Sequence, residues 1–388
     1  MMNDMFKKTN VIITIIALSI LALIGITNTN NILKNVLPHF SEEKSVNERI
    51  NEIDGNYIDD FFGKNFYINI YGIFQRAIGR RIIGNFEYVT DKHGTIDQVI
   101  NNFQYVDSMV EDVKELKRRT DSINTPLLFV QGPNKNSSKK NDVEYTFNDL
   151  NQCDDVILER LQTEGIQTAD MRKLLTEDSN VKVAADDLFL HTDLHMSSEG
   201  EIAAASKLVE LLENNFGLKF SNKEMLDVNG NRFVIENHRM LGNYGRNVGL
   251  YYVPIDDFML FWPIQDTHYE LIDYVTGETK KGTFKDVCLN GYENSPQNEY
   301  TYWVTDYLRF QCPYYVIDNK DVSDGPEICL ITDSIGYRTI SLMSLTCSKI
   351  TIIDPRFFGG TDYIMKAFSE HRFDAVVVYE QFLNNLAL

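Results

Sequence analysis

Glu327-Ile-Cys-Leu-Ile-Thr-Asp-Ser-Ile-Gly-Tyr337 decides the reading of this chain. Ile328, Cys329, Leu330 and Ile331 form a short apolar run with β-branched residues, the pattern of a buried strand. Thr332-Asp333-Ser334 ends the run. From Ile335 to Thr346 apolar residues return at helical spacing (Ile335, Ile340, Leu342, Met343), so a helix is predicted to start at once. A serine on such a turn has its hydroxyl in the open at a sheet edge. The helix N-terminus beside it favours developing negative charge, which is how a serine nucleophile is commonly displayed. The competing reading is that Asp333 or Ser334 does no more than cap the helix.

A nucleophile needs a base, and the best candidate lies upstream. Asp186 to Gly200 reads D-D-L-F-L-H-T-D-L-H-M-S-S-E-G, followed by a predicted helix from Glu201 to Asn215. Ser197, Ser198 and Glu201 offer a capping box at its start. His191, Asp193 and His195 stand at alternate positions before it. An Asp-x-His pair there holds an imidazole beside its orienting carboxylate, the two groups that activate a serine hydroxyl. Three other readings compete. His191, Asp193 and His195 are also possible zinc ligands, although such sets usually gather from separate elements. They are equally readable as plain surface polars at a helix entry. His371, three residues before Asp374, is a rival base.

Lys7 and Lys8 precede an uncharged run, Val11 to Ile26, which with Asn10, Thr27 and Asn28 reaches the lower limit for spanning a bilayer. Lysines before it and neutral residues after it orient the N-terminus to the cytoplasm. No A-x-A-like site follows, so an uncleaved signal anchor is favoured over a cleaved signal peptide. The reading is a cytoplasmic tail (1–9), a transmembrane anchor (10–28), a stalk (29–50) and an extracytoplasmic domain (51–388). Helices are expected over Ile68–Ile82, Ile96–Thr120 and Asp149–Glu164, and strands over Pro126–Val130 and Ile166–Ala169. Strand and helix alternate, which favours a parallel sheet with helices on its faces. Residues 225–316, rich in Tyr, Asn, Gly and Asp, read as an antiparallel β-rich insertion. Trp262, Trp303, Tyr251, Tyr252, Tyr300 and Tyr302 there are candidates for stacking on sugar rings, though packing is the commoner use of such aromatics.

The formal charge of −19 over 388 residues, with no basic cluster, argues against nucleic acid and anionic lipid as partners. Cys153, Cys288, Cys312, Cys329 and Cys347 are too irregularly spaced for a disulfide framework and form no C-x-x-C metal pair. No motif calls for a metal or a cofactor.

Asp193-Leu194-His195-Met196, with Thr192 before and S-S-E-G after, resembles the motif of the DHHW family, SGNH-hydrolase-like proteins related to the alginate O-acetyltransferases. Residues 68–81, the Phe129–Lys135 strand and its Pro-x-Lys turn, Ile331–Ser334, Ile353–Phe357 and the closing V-V-V-Y-E-Q-F-L-N-N-L are similar to family segments in the same order. The resemblance implies an SGNH-like α/β fold and an Asp193–His195–Ser334 triad. It further implies acetyl transfer to a cell-surface or secreted polysaccharide, with the acetyl group presented by a membrane-bound partner. An esterase with the same triad, or a non-catalytic surface carbohydrate-binding protein, are the alternatives. Leu194 and Met196 depart from the family's histidine and tryptophan, and Tyr302-Trp303-Val304-Thr305 replaces an expected glycine-rich stretch.

Overall fold

The computed structural model describes residues 14–15, 18–36, 61–84, 87–91, 94–99, 103–135, 150–178, 183–227, 233–289, 292–308, 313–357 and 360–380. The expected cytoplasmic tail, part of the uncharged run, most of the stalk, Cys312 and the closing Q-F-L-N-N-L lie outside these residues. Among the described residues no helix is long and apolar enough to cross a membrane.

The chain divides into two units, residues 1–74 and 75–388. The first holds helix α1 (Thr29–Asn35) and most of α2 (Lys64–Ala77). In it the Phe62 N–H donates to Asn28 Oδ1 at 2.7 Å.

The second unit opens with a three-stranded antiparallel sheet, β1 (Ile82–Ile83), β2 (Tyr88–Thr90) and β3 (Ile96–Gln98). Helix α3 (Val106–Ser122), β4 (Leu127–Gln131), α4 (Leu150–Thr163), β5 (Gln167–Asp170), α5 (Met171–Glu177) and α6 (Ser198–Phe216) follow. Next come β6 (Phe233–Met240), α7 (Asn243–Val248), β7 (Asp256–Pro263), β8 (Tyr269–Asp273), β9 (Thr279–Gly282) and α8 (Phe284–Cys288). The last part is β10 (Tyr314–Asn319), β11 (Glu327–Thr332), α9 (Tyr337–Met343), β12 (Lys349–Ile353), α10 (Gly360–Glu370) and β13 (Ala375–Glu380).

Eight strands form the main sheet in the order β5-β4-β13-β11-β12-β10-β8-β9. The five from β5 to β12 run parallel, while β10, β8 and β9 join antiparallel. Apolar runs make the central strands because both faces are covered. Ile328 and Leu330 of β11 enter one core with α6 and α9, whereas Cys329 and Ile331 enter the other with α3, α4 and α10. This is the period-two alternation of a strand buried on both sides. Each such aliphatic side chain contributes roughly 1.5–3 kcal/mol on leaving water.

Several sequence expectations shift in detail. Ile96 does not start a helix: it begins β3, and its N–H donates to the carbonyl of His191, leaving α3 to start at Val106. Residues 225–316 divide between a β6–β7 ribbon and strands that extend the main sheet, β8, β9 and the start of β10. Ser197 caps α6 through the Gly200 N–H, but Glu201 does not close a capping box. It is fully buried and reaches Thr339 of α9 instead.

Candidate active site

The C-terminal ends of β4, β13, β11 and β12 lie side by side, the end of an open α/β sheet where ligands ordinarily bind. Ser334 sits there, two residues beyond β11, at the first position of a short 3-10 turn that leads into α9. The capping role falls to Asp333, whose Oδ1 accepts the Ile335 N–H at 2.9 Å. Ser334 is therefore released from capping, and its hydroxyl makes no hydrogen bond among the described residues; the residue is 9% exposed. The turn is tight enough to need glycine at 336, since a Cβ there would collide with the Thr332 hydroxyl.

Burial raises the Asp333 carboxyl above the usual aspartate range, and the nearby Arg356 guanidinium pulls it back. Arg356 follows β12, whose Ile353 pairs with Ile331 of β11, so the two strand ends are neighbours. It grips both oxygens of buried Asp354 through Nε (2.9 Å) and Nη2 (2.6 Å).

His195 and Asp193 form the second half. His195 Nδ1 lies 2.6 Å from Asp193 Oδ1, and the His195 backbone N–H donates to the same oxygen at 3.0 Å. Asp193 Oδ2 accepts the Asn243 N–H at 2.6 Å. Both residues are buried, Asp193 completely. Burial alone would raise the Asp193 carboxyl, but the imidazole beside it and these hydrogen bonds outweigh burial and hold it below its ordinary value. His195 Nε2, on the far side of the ring, has no hydrogen-bond partner among the described residues.

The loop carrying this pair is fixed from three sides. Lys135, buried at the end of the Pro-x-Lys turn, donates to the carbonyls of Asp193 (2.7 Å) and His191 (3.2 Å). Asp256 accepts the Thr192 N–H at 2.8 Å and also receives the Thr192 hydroxyl and the His191 N–H. On the third side the backbone of Gly242 presses in, where a Cβ would fall 2.6 Å from the Thr192 carbonyl oxygen. Leu194 and Met196, the departures from the family motif, serve packing: Met196 is fully buried in the main core, and Leu194 packs on the Tyr88–Tyr244 cluster.

Arg338, one turn after Ser334, joins the two halves. It is 1% exposed and donates to the Met196 carbonyl (3.0 Å) and to Ser198 Oγ (2.7 Å). The serine turn and the Asp-x-His loop are thus bound together at adjoining residues. No hydrogen bond joins Ser334 to His195 among the described residues, and His195 Nε2 is buried without a partner there. His371 is at the wrong end of the sheet. The carboxylate of Asp374 beside it takes the N–H of Glu327, the first residue of β11, so the length of the strand, about 20 Å, separates it from Ser334. The zinc reading finds no ligand set, because among the described residues no three His, Cys, Asp or Glu side chains are placed to hold a metal. His191 turns instead to Asp256, at 3.3 Å.

Sequence reasoning missed Tyr302 as part of this site, reading it as a possible sugar platform. Its hydroxyl donates to Asp193 Oδ1 at 3.2 Å and lies 3.3 Å from His195 Nδ1, while Arg246 stacks 5.0 Å from its ring centre. Burial and the Asp193 charge push its phenol well above the usual range. No local signal distinguishes Tyr302 from the other tyrosines of its segment. Trp303 is buried and stacks on His238 at 4.0 Å, so it offers no face to a ligand.

The comparisons agree with this architecture. A family model, the SGNH hydrolase-like domain of acetyltransferase AlgX, matches residues 95–245, which include Asp193 and His195. The fold is similar to that of Bacillus cereus PatB1, solved with a sulfonyl adduct, at 13% identity over 78% of this chain and 97% of that one, with a TM-score of 0.61. A DHHW family protein from Eubacterium siraeum is similar over 77% of this chain and 91% of its own, at 13% identity and a TM-score of 0.54. No curated protein sequence matches the chain. Both comparisons point the way the motifs do: residues 95–245 are similar to the SGNH hydrolase-like domain of AlgX, and the fold is similar to those of PatB1 and a DHHW family protein.

Proposed function

We propose that the protein is an SGNH-type O-acetyltransferase, anchored in the membrane by residues 10–28 with the domain outside the cytoplasm. Ser334 is the nucleophile, His195 the general base and Asp193 the group that fixes the imidazole. One observation carries the reading. Beside a loop whose other polar groups are largely paired, His195 Nε2 and the Ser334 hydroxyl have no hydrogen-bond partner among the described residues, on elements joined by Arg338.

In the first half-reaction Ser334 Oγ attacks the acetyl carbonyl of a donor ester as its proton passes to His195 Nε2. The tetrahedral intermediate collapses, the donor's C–O bond breaks, and the leaving oxygen takes that proton. In the second, a sugar hydroxyl gives its proton to His195 and attacks the acetyl-serine; the acyl C–O bond to Ser334 breaks, and Ser334 Oγ takes that proton back. Asp193, held ionised, pairs with the imidazolium formed in each half. With the Ile335 N–H committed to Asp333, the Ser334 N–H is the nearer backbone donor for the oxyanion. The polysaccharide acceptor and a membrane-bound acyl-transferring partner come from the family resemblance.

The test is turnover of a chromogenic acetyl ester with and without an oligosaccharide acceptor, together with labelling by an aryl sulfonyl fluoride. The transferase reading expects Ser334 to be labelled and acetyl to appear on the acceptor. Hydrolysis unaffected by acceptor would instead make the protein an esterase. No turnover, and equal labelling of wild type and Ser334→Ala, would leave a binding protein on a retired scaffold.

A further inference from the structure

Helix α2 is built inside out. Successive residues turn by about 100° around a helix axis. Phe66, Tyr67, Ile70, Tyr71, Ile73 and Phe74 therefore share one side, with Lys64, Asn65, Asn69 and Gly72 opposite. In a helix packed on a water-soluble core the apolar side is buried. Here the six apolar residues are between 38% and 62% exposed, while Gly72 and the polar Gln75 are the buried ones. An exposed apolar stripe of this size, on an element whose buried residues, Gly72 and Gln75, lie on the other side, marks a surface meant for apolar surroundings.

Two further observations say what those surroundings are. The start of α2 is tied by the Phe62 N–H to Asn28, two residues beyond the uncharged run Val11–Ile26. Leu18, Leu21, Leu23 and Ile26 of that run are themselves more than half exposed. The other end of α2 leads into Arg76, Arg80 and Arg81, all exposed, in a chain whose net charge is −19. Aromatic residues with polar tips, branched aliphatics and flanking arginines are the composition of helices that lie at a lipid–water boundary.

We propose that α2 is an interfacial helix lying in the headgroup layer of a phospholipid bilayer. Its Phe66–Phe74 side faces the acyl chains, and Arg76, Arg80 and Arg81 lie among the phosphates. The net charge of −19 and the lack of a basic cluster in the sequence argued against anionic lipid; Arg76, Arg80 and Arg81, within six positions, supply positive charge locally.

The full-length protein is reconstituted into phosphatidylcholine vesicles containing a minority of phosphatidylglycerol, with a spin label on Ile70→Cys, Tyr67→Cys or, on the opposite side, Asn65→Cys. Wild-type protein treated identically supplies the blank for native cysteines. The labels at 70 and 67 should be reached by lipid-dissolved oxygen and shielded about tenfold from an aqueous nickel chelate relative to the label at 65. Equal access of the chelate to all three would overturn the proposal. So would shielding from both reagents, which means protein cover, or dipolar broadening that grows with the protein-to-lipid ratio, which means a second copy.

Discussion

The Asp-x-His loop and the serine turn meet at one site, yet they are held in opposite ways. Residues 191–195 are pinned by Lys135, Asp256, Asn243 and Tyr302, and both Asp193 oxygens are bonded. The serine turn spends its polar groups on its own backbone: Asp333 caps Ile335, and Ser334 Oγ bonds to nothing described. On the proposed mechanism, rigidity is invested in the base and its orienter, where a wrong imidazole angle would abolish proton transfer. Freedom is left to the Ser334 hydroxyl, which in that mechanism rotates from the base toward an incoming carbonyl.

The contrast is broken most severely by removing its reacting atoms. Ser334→Ala, His195→Ala and Asp193→Ala should each lower turnover by roughly 10⁴-fold, and double variants should cost little more than the worst single one. Additive losses in ester hydrolysis would show that the three do not act as a unit. Next in size is Lys135→Met, which takes its donor from the Asp193 carbonyl and leaves the His191 carbonyl with the Ile96 N–H alone. A fall in stability of about 1–3 kcal/mol in urea melts, with a loss in kcat larger than any change in KM, is expected.

Tyr302→Phe sharpens the comparison, since it keeps the ring and its Arg246 stack but deletes one bond to Asp193. A roughly tenfold loss in kcat with a shifted acid limb of the rate profile is expected, with little change in melting temperature. A rate unchanged across the whole pH range would reduce Tyr302 to packing.

The smallest effect concerns Asp333, whose carboxyl is raised by burial. A carboxyl with a raised folded value favours the fold while protonated, and that contribution drains away as pH rises from the ordinary aspartate value through the folded one. Asn at 333 can still accept the Ile335 N–H and has no charge to desolvate. Asp333→Asn should therefore gain stability over wild type as pH rises from about 4 upward. Parallel unfolding curves for the two proteins at pH 4 and pH 8 would contradict this.

How much of this could be read from the chain follows from how local each signal is. The apolar run 328–331, the Asp333-Ser334 turn and the Asp-x-His spacing are contained in a few residues, and their strand, cap and pairing are found in the structure. The Ile96 error has a tertiary cause: its N–H is claimed by His191, far along the sequence, and helical spacing cannot foresee such a partner. Glu201 offered a capping box by local pattern but was taken by Thr339 of α9. Tyr302 and Arg338 were illegible for the same reason, because their roles exist only across the junction that the fold creates.

The strand order has a consequence for how the molecule comes into being. β13, in the middle of the sheet between β4 and β11, is the last described strand to leave the ribosome. Until it arrives, β4 and β11 each present an open edge rich in Val, Ile and Leu, the kind of edge that recruits other chains. β11, the strand before Ser334, therefore waits for its second neighbour from residue 332 until residue 375 has been made. A chain cut before residue 375 would lose more than a strand: it would leave two half-sheets with sticky margins. Proteostasis, rather than chemistry, would be the first thing to fail.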